Sequence, residues 1–541
     1  MRDLLGLSGA TATPTEIMSA ILCAPVDLLW FGGIGTYIRA SNEADASVGD
    51  RANDPIRVAG RNVRARVVGE GANLGVTQLG RIEYALNGGR INSDAIDNSS
   101  GVNSSDLEVN IKIAISDMSR SGELGAEARA QFLADMTDDV AALCLRNNYL
   151  QSLALSLAQR RGMGDFSDLV DLMEGLEAIG ELDRAVEYLP DDEQLAARAA
   201  AGTAFTRPEL AVLMAYAKLD LHAQLLDSPV LDDPYLAREL YRYFPTELQE
   251  RFPQTIDSHR LRRDVIGTVL SNAMINRGGP AFVTRLTAMT AADAGTIALA
   301  YAAARDSFDI QALNGAVDAL DTIVSGDSQL ALYAQIQTLQ VGGVLWFLRN
   351  GDFSGGLSAQ IDRYRDGIAT IRAALPDLVS PFYAQSMADQ QAAFEAGGTP
   401  PDQARQIAAL PALALAPDAV LVAHKSGADV LDAARAMFAV IERFGLGRLT
   451  EHGADIEAAD RFDRMAIDRA LANLNRALRD LAGDIIASGT GSVDDRIVAW
   501  NAARQTAITR LADTLKDLID GELTISRLSV AAGLLSDLAS S

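Results

Sequence analysis

The period of the hydrophobic pattern changes near residue 120, and that change commits the chain to two architectures in succession. Before it, short apolar runs closed by Gly, Asn and Ser turns read as strands. After it, apolar residues recur at three- and four-residue steps, the rhythm of amphipathic helices. At 541 residues the chain exceeds one ordinary domain. The expected fold is a partial α/β domain over residues 1–120, followed by a large, mostly α-helical region over 121–541. A turn-rich break at Gly397-Gly398-Thr399-Pro400-Pro401 marks a possible subdivision of the helical region.

The first region carries clear local signals. Thr13-Pro14-Thr15-Glu16 is a capping box with proline at the first helical position, so a helix should run from about Pro14 to Cys23. Val26 to Phe31 is a nearly continuous apolar run ended by Gly32-Gly33, as in a strand buried on both faces of a parallel sheet. Ala59-Gly60-Arg61 lies between Ile56-Arg57-Val58 and Asn62-Val63-Arg64 as the turn of an expected hairpin. Ala65 to Val68 should be a second core strand, breaking at Gly69-Glu70-Gly71-Ala72-Asn73. A helix is expected over Thr77 to Asn87, stopped by Gly88-Gly89, and a third strand over Arg90 to Ile96. Strand, loop and helix in this order indicate α/β.

Beyond Gly122 the helical stripes are long. Val140, Leu143, Cys144, Leu150, Leu153, Ala154 and Leu157 form one. Thr206-Arg207-Pro208-Glu209 is another capping box, opening a helix through Leu210, Leu213, Met214 and Ala217. Leu261, Val265, Val269 and Ala273 form an i,i+4 row beside Ile266, Leu270 and Met274, and Gly278-Gly279-Pro280 should end that helix. A further helix is expected from about Val493 to Asp520, after Ser492. Such stripes predict packing into bundles.

Composition narrows the function. Hydrophobic residues make up 48% and charged residues 22%, enough to bury large cores. The formal net charge of -25 argues against nucleic acid or an anionic membrane as partner, since both need a basic footprint. No stretch has the length and apolarity of a bilayer span, and the N-terminus lacks the layout of a signal peptide. Two cysteines, Cys23 and Cys144, indicate no disulfide framework, and the cytoplasm is the expected location. His222, His259, His424 and His452 have no second ligand at a metal-binding spacing, so no metal site is expected and structural or surface roles fit them better.

Two segments could carry chemistry. Val67 to Gly75 ends a buried strand in small residues that let a ligand approach the backbone, at the strand end where open α/β sheets bind ligands. Asn73 there offers a donor and an acceptor to an amide such as nicotinamide; on spacing alone, a plain strand-to-helix turn with Asn73 capping backbone groups is the favoured reading. Asp97 to Asn110 is a polar loop leading into a helix, and could meet an anion at the helix N-terminus. Ser105 with Glu108 reads as a capping box there, and on the residues alone that local role is favoured over ligand binding.

The combination of Glu70-Gly71-Ala72-Asn73 with Asn98-Ser99-Ser100-Gly101-Val102, Ser105 and Glu108 resembles the closing half of the cofactor domain in the glutamate dehydrogenase superfamily. The strings DLLWFGGIGTY, VGDRANDPIRV, VVGEGANLG and GRINSDAIDNSSGVNSSDLEVNIK are similar to the large bacterial NAD-dependent glutamate dehydrogenases. So are TRPELAVLMAYAKL, YFPTELQERF and HRLRRDVIGTVLSNAMINRGGPAFVTRL in the helical region.

That resemblance implies NAD as cofactor, L-glutamate and 2-oxoglutarate as substrate and product, a homo-oligomer in the intact enzyme, and a Rossmann-like origin for residues 1–120. It implies that Asn73 lies against the nicotinamide carboxamide and ribose, that Gly71 and Ala72 floor the cofactor crevice, and that Asn98 sits beside cofactor and substrate. Val102 and Ser105 match positions lining the pocket for the distal carboxylate. Gly33 and Gly35 would be cofactor-loop residues, although Gly32 to Gly35 departs from the proline-alanine turn of the smaller hexameric enzymes.

The family's phosphate-binding Gly-rich turn and its catalytic lysine and aspartate find no match. Gly33-Ile34-Gly35 is not a G-x-G-x-x-G fingerprint, because Ile38 holds the third glycine's place. The expectation is therefore a C-terminal portion of such an enzyme, inactive alone and with no catalytic residue of its own. Its partial parallel sheet should leave an unpaired edge and an uncovered apolar face. The competing expectation is a helical scaffold for oligomerisation or regulation.

Overall fold

A computed structural model describes all residues except 1–4, 8, 10, 123, 455, 457, 459, 460 and 541. Two compact units divide the chain, Met1–Ala298 and Leu299–Ser541. Among the described residues no single helix is long and apolar enough to cross a membrane.

The first unit opens with α1 (Pro14–Leu22), started by the expected Thr13–Glu16 capping box. Three parallel strands follow: β1 (Leu28–Phe31), β4 (Val67–Glu70) and β5 (Arg90–Ile91), in the order β1-β4-β5. Leu28 pairs with Val67, Phe31 with Glu70, and Val68 with Ile91. Between β1 and β4, the two-residue strands β2 (Ile38–Arg39) and β3 (Val58–Ala59) form a separate parallel pair. Helix α2 (Gln78–Leu86) connects β4 to β5 and is capped by the Thr77 hydroxyl.

The sheet is covered on one face. Phe31, Val68 and Ile91 pack there with Leu22, Ile38, Val63, Val76 and Tyr84, and the Tyr84 hydroxyl donates to the Ala65 carbonyl at 2.6 Å. On the opposite face Leu28 is 55% and Trp30 57% exposed, and Val67 is exposed beside them. The apolar face left bare by a short parallel sheet is therefore present. Trp30 lies across β4, where a Cβ on Gly69 would come within 2.5 Å of its ring.

Three local expectations differ. Residues 56–64 form no hairpin: Val58–Ala59 pairs in parallel with β2, and Gly60–Asn62 is a single 3-10 turn. A Cβ on Gly60 would sit 2.7 Å from the Gly80 carbonyl oxygen, so this glycine serves close packing against α2. The third strand stops at Ile91, and Asp94–Asp97 is a helical turn. The next helix, α3 (Ser99–Ser121), starts well before Ser105. Asn148 holds its start, donating to the Ile96 carbonyl at 2.6 Å and the Ser99 hydroxyl at 3.1 Å. Glu108 pairs with Lys112 one turn on, within the helix, instead of closing a box with Ser105. Gly122, with φ of 81°, ends α3 where the hydrophobic rhythm changes.

The remainder of the unit is helical. Helix α4 (Thr137–Arg161) buries Cys144, Leu153, Ala154 and Leu157, as its stripe predicts. Helix α5 (Arg207–Asp227) begins with the Thr206–Glu209 capping box. The short α6 (Ala237–Tyr243) leads towards α7 (Arg262–Gly278), which stops at Gly279 with φ of 95°. Helix α5 packs against α2, α4 and α7, joining the helices to the α/β segment.

In the second unit, α8 (Gly326–Asn350), α9 (Leu357–Leu378), α10 (Ala416–Ser426), α11 (Val430–Phe444), α12 (Arg461–Ala487) and α13 (Ile525–Ala539) include the principal packing helices. The turn-rich break at residues 397–400 separates two helices within this unit. The long helix expected over 493–520 is two, Val493–Ala503 and Gln505–Ile519. They break at Arg504, which is drawn onto Asp484 at 2.6 Å.

Candidate active-site cleft

The loop after β4 is built around a buried carboxylate. Strand alternation turns the Glu70 side chain to the covered face, where it is fully buried. Arg81 of α2 answers the charge, donating from Nε at 2.7 Å and Nη2 at 2.9 Å. Glu70 also accepts from the Val76 backbone N–H at 3.0 Å, drawing the loop closed. Burial pushes the Glu70 carboxyl up, against the opposing pull of Arg81. At the crest, Leu74 holds a left-handed φ of 58°, and its N–H donates to Asp94 at 2.8 Å. Asp97 accepts from the Glu70 N–H at 2.9 Å. Three carboxylates thus brace the segment carrying Asn73 against the turn carrying Asn98.

Those two amides meet: Asn98 Nδ2 donates to Asn73 Oδ1. Both lie beyond the carboxyl ends of β4 and β5, where parallel sheets present their ligand sites. They line a cleft of about 650 Å³ with Val102, Asn103 and Asp106 of α3 and Asn147 and Gln151 of α4. The far wall comes from the helical region, with Arg242 and Tyr243 of α6 and Thr268, Asn272 and Asn276 of α7. Leu143, Leu150 and Val269 supply apolar surface.

Several polar groups of the cleft are already committed. The Tyr243 hydroxyl donates to Asp106 at 2.6 Å and accepts from Asn110 at 2.8 Å. Burial first, then the Asp106 carboxylate, push its ionisation far up, so it stays a neutral phenol. Arg242 is bound to Glu239 at 2.7 Å. Asp94 faces Arg81 at 3.2 Å. In contrast, the Asn276 side-chain oxygen is buried without a hydrogen-bond partner.

Asn73, Asn98 and Val102 are therefore brought together from among the residues singled out in the sequence. Ser105 is exposed on α3 and is not part of the cleft lining. Gly71 and Ala72 also stand outside the lining. A Cβ on Gly71 would come within 2.6 Å of the Trp30 ring, so the indole takes the space that glycine opens. The Ala72 N–H donates to the Phe31 carbonyl at 3.0 Å, fastening the loop to β1. Gly33 is exposed with open space about it. Gly35, with φ of 132°, sits against Tyr37 and Asn53, where a Cβ would come within 2.7 Å of the tyrosine hydroxyl. Neither glycine borders the cleft.

Other residues gain roles that sequence reading did not assign. Arg207, at the start of α5, donates to Asn92 from Nε at 2.9 Å and Nη2 at 2.8 Å, and Asn92 donates to Asp97 at 2.7 Å. Burial pushes the Arg207 guanidinium down to about 10, which leaves it protonated at neutral pH. The helical region thus holds the carboxylate that positions the β4 loop. Period-two alternation could have revealed Glu70, since it places a carboxylate inside the sheet layer, where it needs a cation. The polar row Thr268, Asn272, Asn276 at i,i+4 spacing on α7 carried no such signal, since in sequence it reads as a solvated helix face.

The arrangement offers amide donors and acceptors beside apolar surface, which suits a planar group bearing hydrogen-bonding substituents. Two family models match the chain. Residues 1–158 match the family model described as bacterial NAD-glutamate dehydrogenase, catalytic domain. Residues 202–537 match that described as glutamate dehydrogenase, C-terminal. The NAD-specific glutamate dehydrogenase of Pseudomonas aeruginosa is 38% identical over 502 residues, covering 92% of this chain and 31% of the relative. Those of Halomonas elongata and Mycobacterium tuberculosis are 35% and 34% identical, covering 96% and 98% of this chain and 32% and 33% of theirs. The chain spans about a third of the length of these relatives. By the match of both segments and the identity along nearly its whole length, the chain belongs to the bacterial NAD-specific glutamate dehydrogenase family.

Proposed function

We propose that this chain supplies the nicotinamide side of the catalytic cleft in an enzyme that oxidises L-glutamate with NAD and water to 2-oxoglutarate, ammonia and NADH. The observation that carries the reading is the meeting of Asn73, Asn98 and Val102 at one cleft beyond the strand carboxyl ends, within the segment that matches the family's catalytic domain. Hydride acceptance is the chemistry NAD brings when bound. This chain's residues bind and orient: Asn73 and Asn98 would hold the carboxamide and ribose, while Val102 shapes the substrate side. Ser105, one turn along α3, is proposed to reach the distal carboxylate of glutamate at the outer rim. Gly71 and Ala72 would set the backbone course behind the crevice, and Gly33 and Gly35 would belong to a cofactor loop outside the cleft lining. Residues 1–120 are then the remnant of a Rossmann-like NAD-binding domain, and residues 121–541 its helical extension, in a cytoplasmic homo-oligomer. Proton transfer is assigned to residues outside this chain, so purified alone it should form no NADH from glutamate.

The test is Asn73→Ala in the full-length enzyme. Losing the contact from the Asn73 amino group is expected to raise KM for NAD about tenfold, for a hydrogen-bonding loss of about 1.4 kcal/mol, with KM for glutamate little changed. An unaltered NAD dependence would refute the assignment.

A second reading concerns Leu299–Ser541 alone, as a scaffold for assembly or regulation. It is favoured by the dense interior of that unit, whose described cavities hold only about 10 Å³ each.

A further inference from the structure

We infer that the face of α7 bearing Thr268, Asn272 and Asn276 is the second wall of the nicotinamide site, with Asn276 Oδ1 accepting a hydrogen bond from the ligand. The inference rests on the NAD reading above and extends it to the helical region, which the comparisons match to a separate family model.

Asn276 is only 5% exposed, lines the cleft, and its side-chain oxygen has no partner. A buried acceptor left unpaired forfeits the hydrogen bonds it would make in water, and folded proteins retain few such atoms without cause. A donor arriving in the cleft would satisfy it. On the opposite wall, the Asn73–Asn98 bond engages Asn73 Oδ1 and Asn98 Nδ2 and leaves the Asn73 amino group and the Asn98 side-chain oxygen for a ligand. The space between, about 650 Å³, falls in the range of small-molecule sites.

Charge narrows the occupant. The cleft includes the carboxylates of Asp94 and Asp106, and its guanidinium, Arg242, is held by Glu239. A diphosphate or a dicarboxylate placed deep here would meet like charge, whereas an uncharged or cationic ring would not. Oxidised nicotinamide is a cationic pyridinium carrying a carboxamide, and ribose adds hydroxyl donors. Val102, Leu150 and Val269 offer apolar contact to the ring faces. The site should therefore take the nicotinamide riboside half of the cofactor, favour the oxidised ring, and leave the diphosphate outside.

The experiment is calorimetric titration of the full 541-residue chain with nicotinamide riboside, its reduced form, and adenosine. Nicotinamide riboside should bind, the reduced form several-fold more weakly, and adenosine not at all. Asn276→Leu should weaken nicotinamide riboside about tenfold, and Asn272→Ala, at a less buried place on the same face, by a smaller factor. Circular dichroism checks that each variant is folded, and Asn272→Ala carries the test if Asn276→Leu is not. Wild-type affinity in a folded α7 variant, or no binding of nicotinamide riboside to the chain at all, would overturn the inference. Asn73→Ala separates the two readings: loss at Asn73 with no loss on α7 removes the α7 wall and keeps the NAD assignment. Loss on α7 with adenosine binding equally well, and with Asn73 indifferent, removes the NAD assignment itself.

Discussion

The two units handle polar groups in their interiors differently. In Met1–Ala298, buried Glu70, Arg81 and His259 belong to networks that reach the lining of a large cleft through Asp94 and through Asn110 and Tyr243. In Leu299–Ser541, the described pockets between helices hold only about 10 Å³ each. A central polar cluster there is inward-looking: Asp418 of α10 accepts from Arg479 of α12 and from Trp346 Nε1 of α8, each at 2.6 Å. Close-packed interiors are rigid and poor at binding small molecules, while a cleft keeps polar groups available at some cost in stability. The contrast is between an open polar cleft in the first unit and a close-packed interior in the second.

The largest test of that contrast is Asp418→Leu. Asp418 is 2% exposed, and burial pushes its carboxyl up even with Arg479 beside it. Removing it leaves the guanidinium and the indole N–H without their acceptor, and breaking such a pair costs about 3–5 kcal/mol. Hydrogen exchange read by mass spectrometry should show protection falling in α8, α10 and α12, with the β4 loop unchanged. Asp418→Leu combined with Arg479→Met should recover most of the loss, because two well-packed apolar groups replace the pair. Equal loss in both units would end the claim that this cluster serves the second unit alone.

A smaller effect compares one substitution in each unit. A Cβ on Gly447 would lie 2.3 Å from the Phe382 ring, so Gly447→Ala should destabilise by about 1–3 kcal/mol through overpacking. A Cβ on Gly101, inside α3, meets nothing within 4 Å. Gly101→Ala should stabilise by about 0.5–1 kcal/mol through helix propensity. Denaturant melts of the two variants should move in opposite directions, and movement in the same direction would break the packing contrast.

Legibility followed the range of the interactions. The capping boxes at Thr13 and Thr206 were readable because each is closed within four residues. Pairing of Ile38 with Val58 was not, since a two-residue parallel ladder leaves no alternation to read. The start of α3 was misplaced because Asn148, far along the chain, supplies the bonds at Ile96 and Ser99. Of the site, Asn73, Asn98 and Val102 were legible through family resemblance. The α7 wall was not, because its polar row looks in sequence like a solvated helix face and only tertiary packing turns it inward.

The subtlest test uses pH and concerns the first unit's interior. His259 is 5% exposed and packs its ring 5.4 Å from that of Phe244. Its Nδ1 accepts from the Leu261 N–H at 3.2 Å, so Nε2 carries the proton and donates to the Asn110 carbonyl at 3.1 Å. Burial lowers its ionisation below the ordinary 6.5, partly offset by that carbonyl. The folded form therefore resists the proton that the unfolded chain accepts, and stability rises with pH across this interval. Above 6.5 both states are neutral and no penalty exists; as pH falls through 6.5 the unfolded chain is favoured, until the folded ring also titrates. Protonation at Nδ1 would also break the bond from Leu261, the start of the connection into α7. His259→Asn keeps a side-chain acceptor without a titrating ring, so its exchange protection in α7 should fall less between pH 6.5 and about 5 than the wild type's. An equal slope in both proteins would show that other groups govern the acid sensitivity of this unit.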